Sequence, residues 1–245
     1  MRSTLTLLLF VFVMVSCRPK DKVQSNPVVK PADQADTSHN KLSNTNSIQH
    51  DRLEFPRYDD DGDYFQLMAK KGNELFVFLN EQSDDRSLLR GDTIDISWKV
   101  DTIEIPGDGG SKMAADKIVS LAKVANGNVS KFRSTYKYPL HYTWAKDEHY
   151  SQSYLDKVYQ HVEYYLANTN NLLIGDCIKK RRKLSYSIEQ QHRDEQEYTM
   201  IGISTTSEHH VNIIQWLYLN AAENSCYEYD LAADSLIKFD HPIFH

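Results

Sequence analysis

Cysteine is scarce in this chain, three residues in 245, and no two of them stand in a CxxC spacing. No HExxH occurs either, so the local zinc signatures are missing. There is no GxSxG elbow, and neither Cys177 nor Cys226 lies in a sequence resembling that of a catalytic thiol. Long apolar runs are also lacking: Leu5 to Val15 ends before Arg18 and Pro19, about half of the roughly 20 residues that a bilayer-spanning helix needs. Basic residues are in deficit, 28 Lys and Arg against 34 Asp and Glu for a net charge of −6. That balance gives no reason to expect nucleic acid as a partner, and none is expected. No metal and no cofactor is expected.

What is present begins at the amino terminus. Arg2 supplies a positive n-region, Leu5 to Val15 an apolar h-region, and Ser16 a small residue before Cys17, which is signal-peptide architecture over residues 1–16. Met14-Val15-Ser16-Cys17 resembles the lipobox of bacterial lipoproteins, with Met14 where that family most often has Leu. The resemblance covers residues 1 to about 20. It implies cleavage before Cys17, acylation of that cysteine, attachment to a membrane of the bacterial cell envelope, and, from Arg18 in the following position, outer-membrane sorting. Several acyl chains at about 0.8 kcal/mol per buried methylene hold a protein on a membrane in practice permanently.

Residues 17–50 contain three prolines and abundant Ser, Asn, Gln, Asp and Lys, without an aromatic side chain, and cannot bury a core. As a flexible chain their r.m.s. span is roughly 30 Å. All fifteen tyrosines and all three tryptophans lie beyond residue 50, so residues 51–245 form the globular body, as one domain or as two subdomains, 51–130 and 131–245.

Within the body, Tyr64 to Ala69 and Glu74 to Leu79 flank Gly72-Asn73 and predict a hairpin. Asp92 to Ile105 alternates as a strand and stops at Pro-Gly-Asp-Gly-Gly. Lys112 to Ala125 has apolar residues at 113, 114, 118, 121, 122 and 125, the period of an amphipathic helix. Ser151 to Asn168 carries a second and stronger stripe, with Ser153 as its N-cap. Strands follow at 184–188, 198–204, 211–219, 227–231 and 236–239. The predicted class is α+β, antiparallel β-meanders with one or two packed amphipathic helices.

Once Cys17 is assigned to lipid, Cys177 and Cys226 remain. In an exported chain they suggest a disulfide, which by closing a loop of about 50 residues would stabilise by roughly 4 kcal/mol; two buried free thiols are the alternative. Asp59-Asp60-Asp61-Gly62-Asp63 has the carboxylates for calcium, but an EF-hand loop starting at Asp59 would need Gly and Glu where Tyr64 and Lys70 stand. Adjacent His209 and His210 point to opposite faces of a strand, and Pro242 and Phe244 separate His241 from His245 against a helical pair. His141, Asp147, Glu148 and His149 surround Trp144 and are the catalytic candidates. Lys179 to Lys183 is a basic cluster in an acidic chain.

Location and missing catalytic motifs together point to a non-catalytic envelope lipoprotein of the binding, inhibitor or immunity type, with an envelope protein or polymer as partner. That reading expects an exposed surface patch rather than a deep polar pocket. The alternative is an envelope hydrolase acting on peptidoglycan or glycan, since paired carboxylates meet in space without a local signature.

Overall fold

The computed structural model describes residues 47–239 except 82, 106, 108, 208, 209, 223 and 224. The signal peptide, Cys17, nearly all of the predicted tether, His209, His241 and His245 therefore lie outside the described residues. Among those described, eleven strands and three helices occur, all within the compact unit Leu42–His245. No helix among them is long and apolar enough to cross a membrane.

The first five strands, β1 (Gln49–Asp59), β2 (Gln66–Lys71), β3 (Glu74–Leu79), β4 (Asp92–Glu104) and β5 (Lys112–Ala125), close into a barrel in the order β1-β2-β3-β5-β4. Alternation drives this: Leu53, Phe55, Leu67, Ala69, Phe78, Ile94, Ile96 and Ile118 face inward and form one core, while their neighbours face out. Gly72, at φ +63°, opens the two-residue β2–β3 turn and takes the left-handed conformation a tight hairpin requires. Closure comes from β1 pairing antiparallel with β4, from Gln49 opposite Trp98 to Phe55 opposite Asp92.

The expected helix at Lys112–Ala125 is a strand. It pairs with β4 from Glu104–Lys112 to Thr93–Ala125, and Ile118 is its one buried residue. Spacing that fits a helical period is here overridden by a neighbouring strand of matching length joined through a glycine-rich turn. This change alters the fold class. The chain is mostly β, with a closed barrel and a separate sheet, and is not the predicted α+β arrangement of meanders.

After the short helix α1 (Asn128–Thr135) comes β6 (His141–Trp144), then α2 (Gln152–Asn168), α3 (Leu172–Lys179) and the meander β7 (Leu184–Arg193), β8 (Gln196–Ser207), β9 (His210–Asn220), β10 (Ser225–Asp230) and β11 (Ser235–Lys238). Their sheet order is β11-β10-β9-β8-β7-β6, antiparallel except that β6 runs parallel to β7. The α2 stripe of Leu155, Val158, Val162, Tyr165 and Leu166 packs on Leu184, Tyr186, Ile188, Ile201, Ile203, Leu217 and Leu219 of the sheet. Each such side chain contributes about 1.5–3 kcal/mol on burial. Ser151, not Ser153, caps α2, accepting from the Tyr154 amide at 3.2 Å.

Candidate functional site

Barrel and helices meet at Asp92, the first residue of β4, which is fully buried. One carboxylate oxygen accepts from the Gly127 amide at 2.8 Å and Ser130 Oγ at 2.6 Å. The other accepts from the Leu89 amide at 2.8 Å and lies 2.8 Å from Lys123 Nζ. Burial pushes this carboxyl up, but Lys123, Ser130 and the two amides outweigh it and hold it below the ordinary carboxylate value. The approach is so close that a Cβ on Gly127 would sit 2.3 Å from Gly91 carbonyl atoms.

This joint positions the loop between β3 and β4 over a cavity of about 440 Å³. Met68, Lys70 and Leu75, on the outer face of β2 and β3, form one side, and α1 and α2 contribute Arg133, His161 and Glu163 opposite. The β1 register shifts between Glu54 and Arg57; such a bulge re-aims the side chains that follow, and Arg57 lines the cavity.

Five cations, Arg57, Lys70, Arg86, Arg90 and Arg133, line it against two carboxylates, Asp60 and Glu163. They are held unequally. Arg86 grips Asp60 through two bonds of 2.8 and 3.0 Å with its guanidinium 4.6 Å from the centre of the Tyr58 ring, and Arg133 grips Glu163 at 2.6 and 2.7 Å. Those bonds raise both guanidinium pKa values. Arg57 meets Asp59 at 3.3 Å and Lys70 meets Glu54 at 3.1 Å, single contacts both. The Arg90 guanidinium lies 3.7 Å over the Tyr164 ring, and burial lowers its pKa. His161 is buried; desolvation first, then the Arg90 charge, push its imidazole down to about 3.

A polar cavity therefore exists where only a surface patch was expected. Among the described residues, no Ser, Thr or Cys lines it. Its carboxylates are tied two-pronged to arginines, and burial raises the Tyr58 phenol.

The residues singled out from the sequence lie elsewhere. His141 is exposed on β6, and Asp147 and His149 are exposed on the loop before α2, with Glu148 half-buried. Trp144 Nε1 donates to the Glu148 carbonyl at 3.2 Å, closing that loop as a turn. None of the four lines the cavity. Cys177 on α3 and Cys226 on β10 are free, buried thiols, so the expected disulfide is not present. Both belong to the core between helices and sheet, and desolvation raises both thiol pKa values. Among the described residues no His, Cys, Asp and Glu cluster is arranged for a metal. In the basic cluster, Lys180 and Arg182 pair with Asp176 at 2.8 and 4.0 Å on the surface after α3. The cavity residues were missed because they are scattered from position 55 to 163. A histidine and a glutamate on the buried side of α2 were the available signal.

The strand order β1-β2-β3-β5-β4, with β3 and β5 parallel where they meet, defines a five-stranded barrel of the OB type. No family model matches the chain, and no curated protein matches it. Among solved structures it is similar to Rim1, a mitochondrial single-stranded DNA binding protein from S. cerevisiae, at 12% identity over 33% of this chain and 96% of that one, with a TM-score of 0.24. It is also similar to the aspartyl tRNA synthetase of Entamoeba histolytica, at 12% identity over 67% of this chain and 48% of that one, TM-score 0.25. A putative aspartyl-tRNA synthetase from Leishmania major Friedlin matches at 10% identity over 76% and 50%, TM-score 0.25. The chain spans about half the length of the two synthetases. Likeness at this level carries no argument about what the chain binds. One expectation is corrected from the cavity itself: whole-chain charge does not exclude nucleic acid as a partner. The physical reason is local, since five cations face two carboxylates in a cavity of a chain that is acidic overall.

Proposed function

We propose that this chain is a lipid-anchored protein of the bacterial cell envelope whose body binds a ligand or partner without chemically changing it, as inhibitor and immunity-type proteins do. The observation that carries the binding half is the makeup of the cavity: five cations and apolar side chains, with no Ser, Thr or Cys among its described lining residues and both its carboxylates, Asp60 and Glu163, held by arginines. Its position on the outer face of β2 and β3 supports the same reading, because OB barrels generally receive ligands on that face. The anchoring half is supported by Arg2, Leu5 to Val15 and Met14-Val15-Ser16-Cys17.

The test joins both halves. Cells expressing the full chain are fed an alkyne-tagged palmitate; the chain should be labelled and should partition into detergent, and Cys17→Ala should lose both properties. The purified chain incubated with peptidoglycan sacculi should release no soluble fragments. An unlabelled wild-type chain would contradict the anchor, and fragment release would contradict the binding reading in favour of a hydrolase.

A further inference from the structure

The cavity has two kinds of wall. Met68, Leu75, Leu88 and Val129 supply apolar surface, and Arg57, Lys70 and Arg90 supply positive charge beside it. Its volume of about 440 Å³ falls at the small-molecule end of ligand sites, which run from about 300 to 1,000 Å³. A long polymer would have only one end inside.

Arg86 and Arg133 are closed by two-pronged bonds to Asp60 and Glu163, and they stiffen the walls. Arg57 and Lys70 have single-contact partners two and sixteen residues away in the chain, and both side chains are about one-third exposed, 39% and 33%. Exchanging such a contact for a better-placed oxyanion gives up little, because exposed ion pairs contribute about 0–1 kcal/mol. An oxyanion accepting from guanidinium in a partly desolvated site forms the stronger, charge-assisted bond.

Resting on the binding reading above, we propose that the cavity takes a small amphipathic anion, a phosphate or carboxylate headgroup on an apolar body, with Arg57 and Lys70 receiving the headgroup and Met68 and Leu75 the body. Pairing geometry on the barrel places these four together: Arg57 is opposite Met68 between β1 and β2, and Lys70 is opposite Leu75 between β2 and β3.

The test titrates the full detergent-solubilised chain by calorimetry with 1-naphthyl phosphate and 1-naphthoate. The neutral body is represented by 1-naphthol, the bare anion by inorganic phosphate, and a polyanion by an oligo-dT strand. One of the two amphipathic anions should bind one per chain, and naphthol and inorganic phosphate each about tenfold more weakly or worse. The preferred headgroup identifies phosphate or carboxylate as the natural chemistry. Arg57→Gln should weaken the anion about tenfold without changing naphthol, and Leu75→Trp, which fills the apolar side from an exposed strand position, should abolish binding while circular dichroism stays native. Equal affinity for naphthol and naphthyl phosphate would overturn the proposal, as would unchanged affinity in both variants. Tighter binding of oligo-dT, lost in Arg57→Gln, would replace it with a polymer site. Release of naphthol from the phosphate ester would instead overturn the non-catalytic reading.

Discussion

Asp92 and Glu163 are both buried carboxylates facing a cation, yet one fastens the molecule together and the other edges a space left open. Asp92 receives four donors, two of them backbone amides from different segments, and its side chain has no exposure. Among the described residues Glu163 has one hydrogen-bonding partner, Arg133, whose side chain is 47% exposed. The difference lies in how many fixed groups converge. Amides of Leu89 and Gly127 cannot swing away, so Asp92 locks the barrel to α1, whereas Glu163 is held by a single long side chain, Arg133, at the cavity wall.

The largest expected effect comes from breaking the first of these. Asp92→Ala leaves Lys123, Ser130 and two amides without their acceptor and should cost about 3–5 kcal/mol in denaturant unfolding. Asp92→Asn should lose less, since one carbonyl oxygen remains. If Asp92→Ala costs no more than a surface substitution, the contrast between the two carboxylates fails.

Acid provides the next. His161, with its pKa down to about 3 when folded against roughly 6.5 unfolded, binds a proton more readily in the unfolded chain. Its contribution is therefore complete above about pH 6.5 and declines by roughly 4 kcal/mol as pH falls toward 3. Asp92, held below its ordinary value, adds its loss only lower, below about pH 4, as it protonates. Chemical denaturation across this range should show a decline starting near pH 6.5 that His161→Phe removes, leaving the steeper acid limb. A flat profile from pH 6.5 to 4.5 in the wild type would contradict the burial of a neutral imidazole.

Glu163→Gln should cost only about 1–2 kcal/mol, because Arg133 can turn to solvent. Smallest of all, Tyr186→Phe should lie within about 0.5 kcal/mol of wild type or be more stable. The Tyr186 hydroxyl is buried and has no hydrogen-bond partner among the described residues, so removing it relieves an uncompensated polar group. A thermal melt measures both.

Local chemistry was legible from the sequence; long-range closure was not. The Gly72-Asn73 turn, the alternation of β4, the α2 stripe and the strands of the second meander each follow from a few neighbouring residues, and the structure has them. The helical reading of Lys112 to Ala125 failed because its partner strand, not its own period, decides its conformation. Barrel closure depends on β1 meeting β4 across some forty residues, which no local pattern announces. The cavity is the extreme case. Arg57, Arg86, Arg90 and Arg133 look like ordinary surface charges in the sequence and converge only after β1, the β3–β4 loop and α1 are in place. His141, Asp147, Glu148 and His149 are near in sequence and do not converge on it at all.

The central claim is that this cavity holds a ligand without changing it. Its most direct test is to incubate the full chain with a saturating amount of 1-naphthyl phosphate and 1-naphthoate in turn, separate bound from free, and identify what is recovered from the bound fraction. Intact ligand at one per chain for the preferred anion, reduced in Arg57→Gln and lost in Leu75→Trp, is the predicted result. Recovery of naphthol from the phosphate ester, or binding that neither substitution alters, would contradict it.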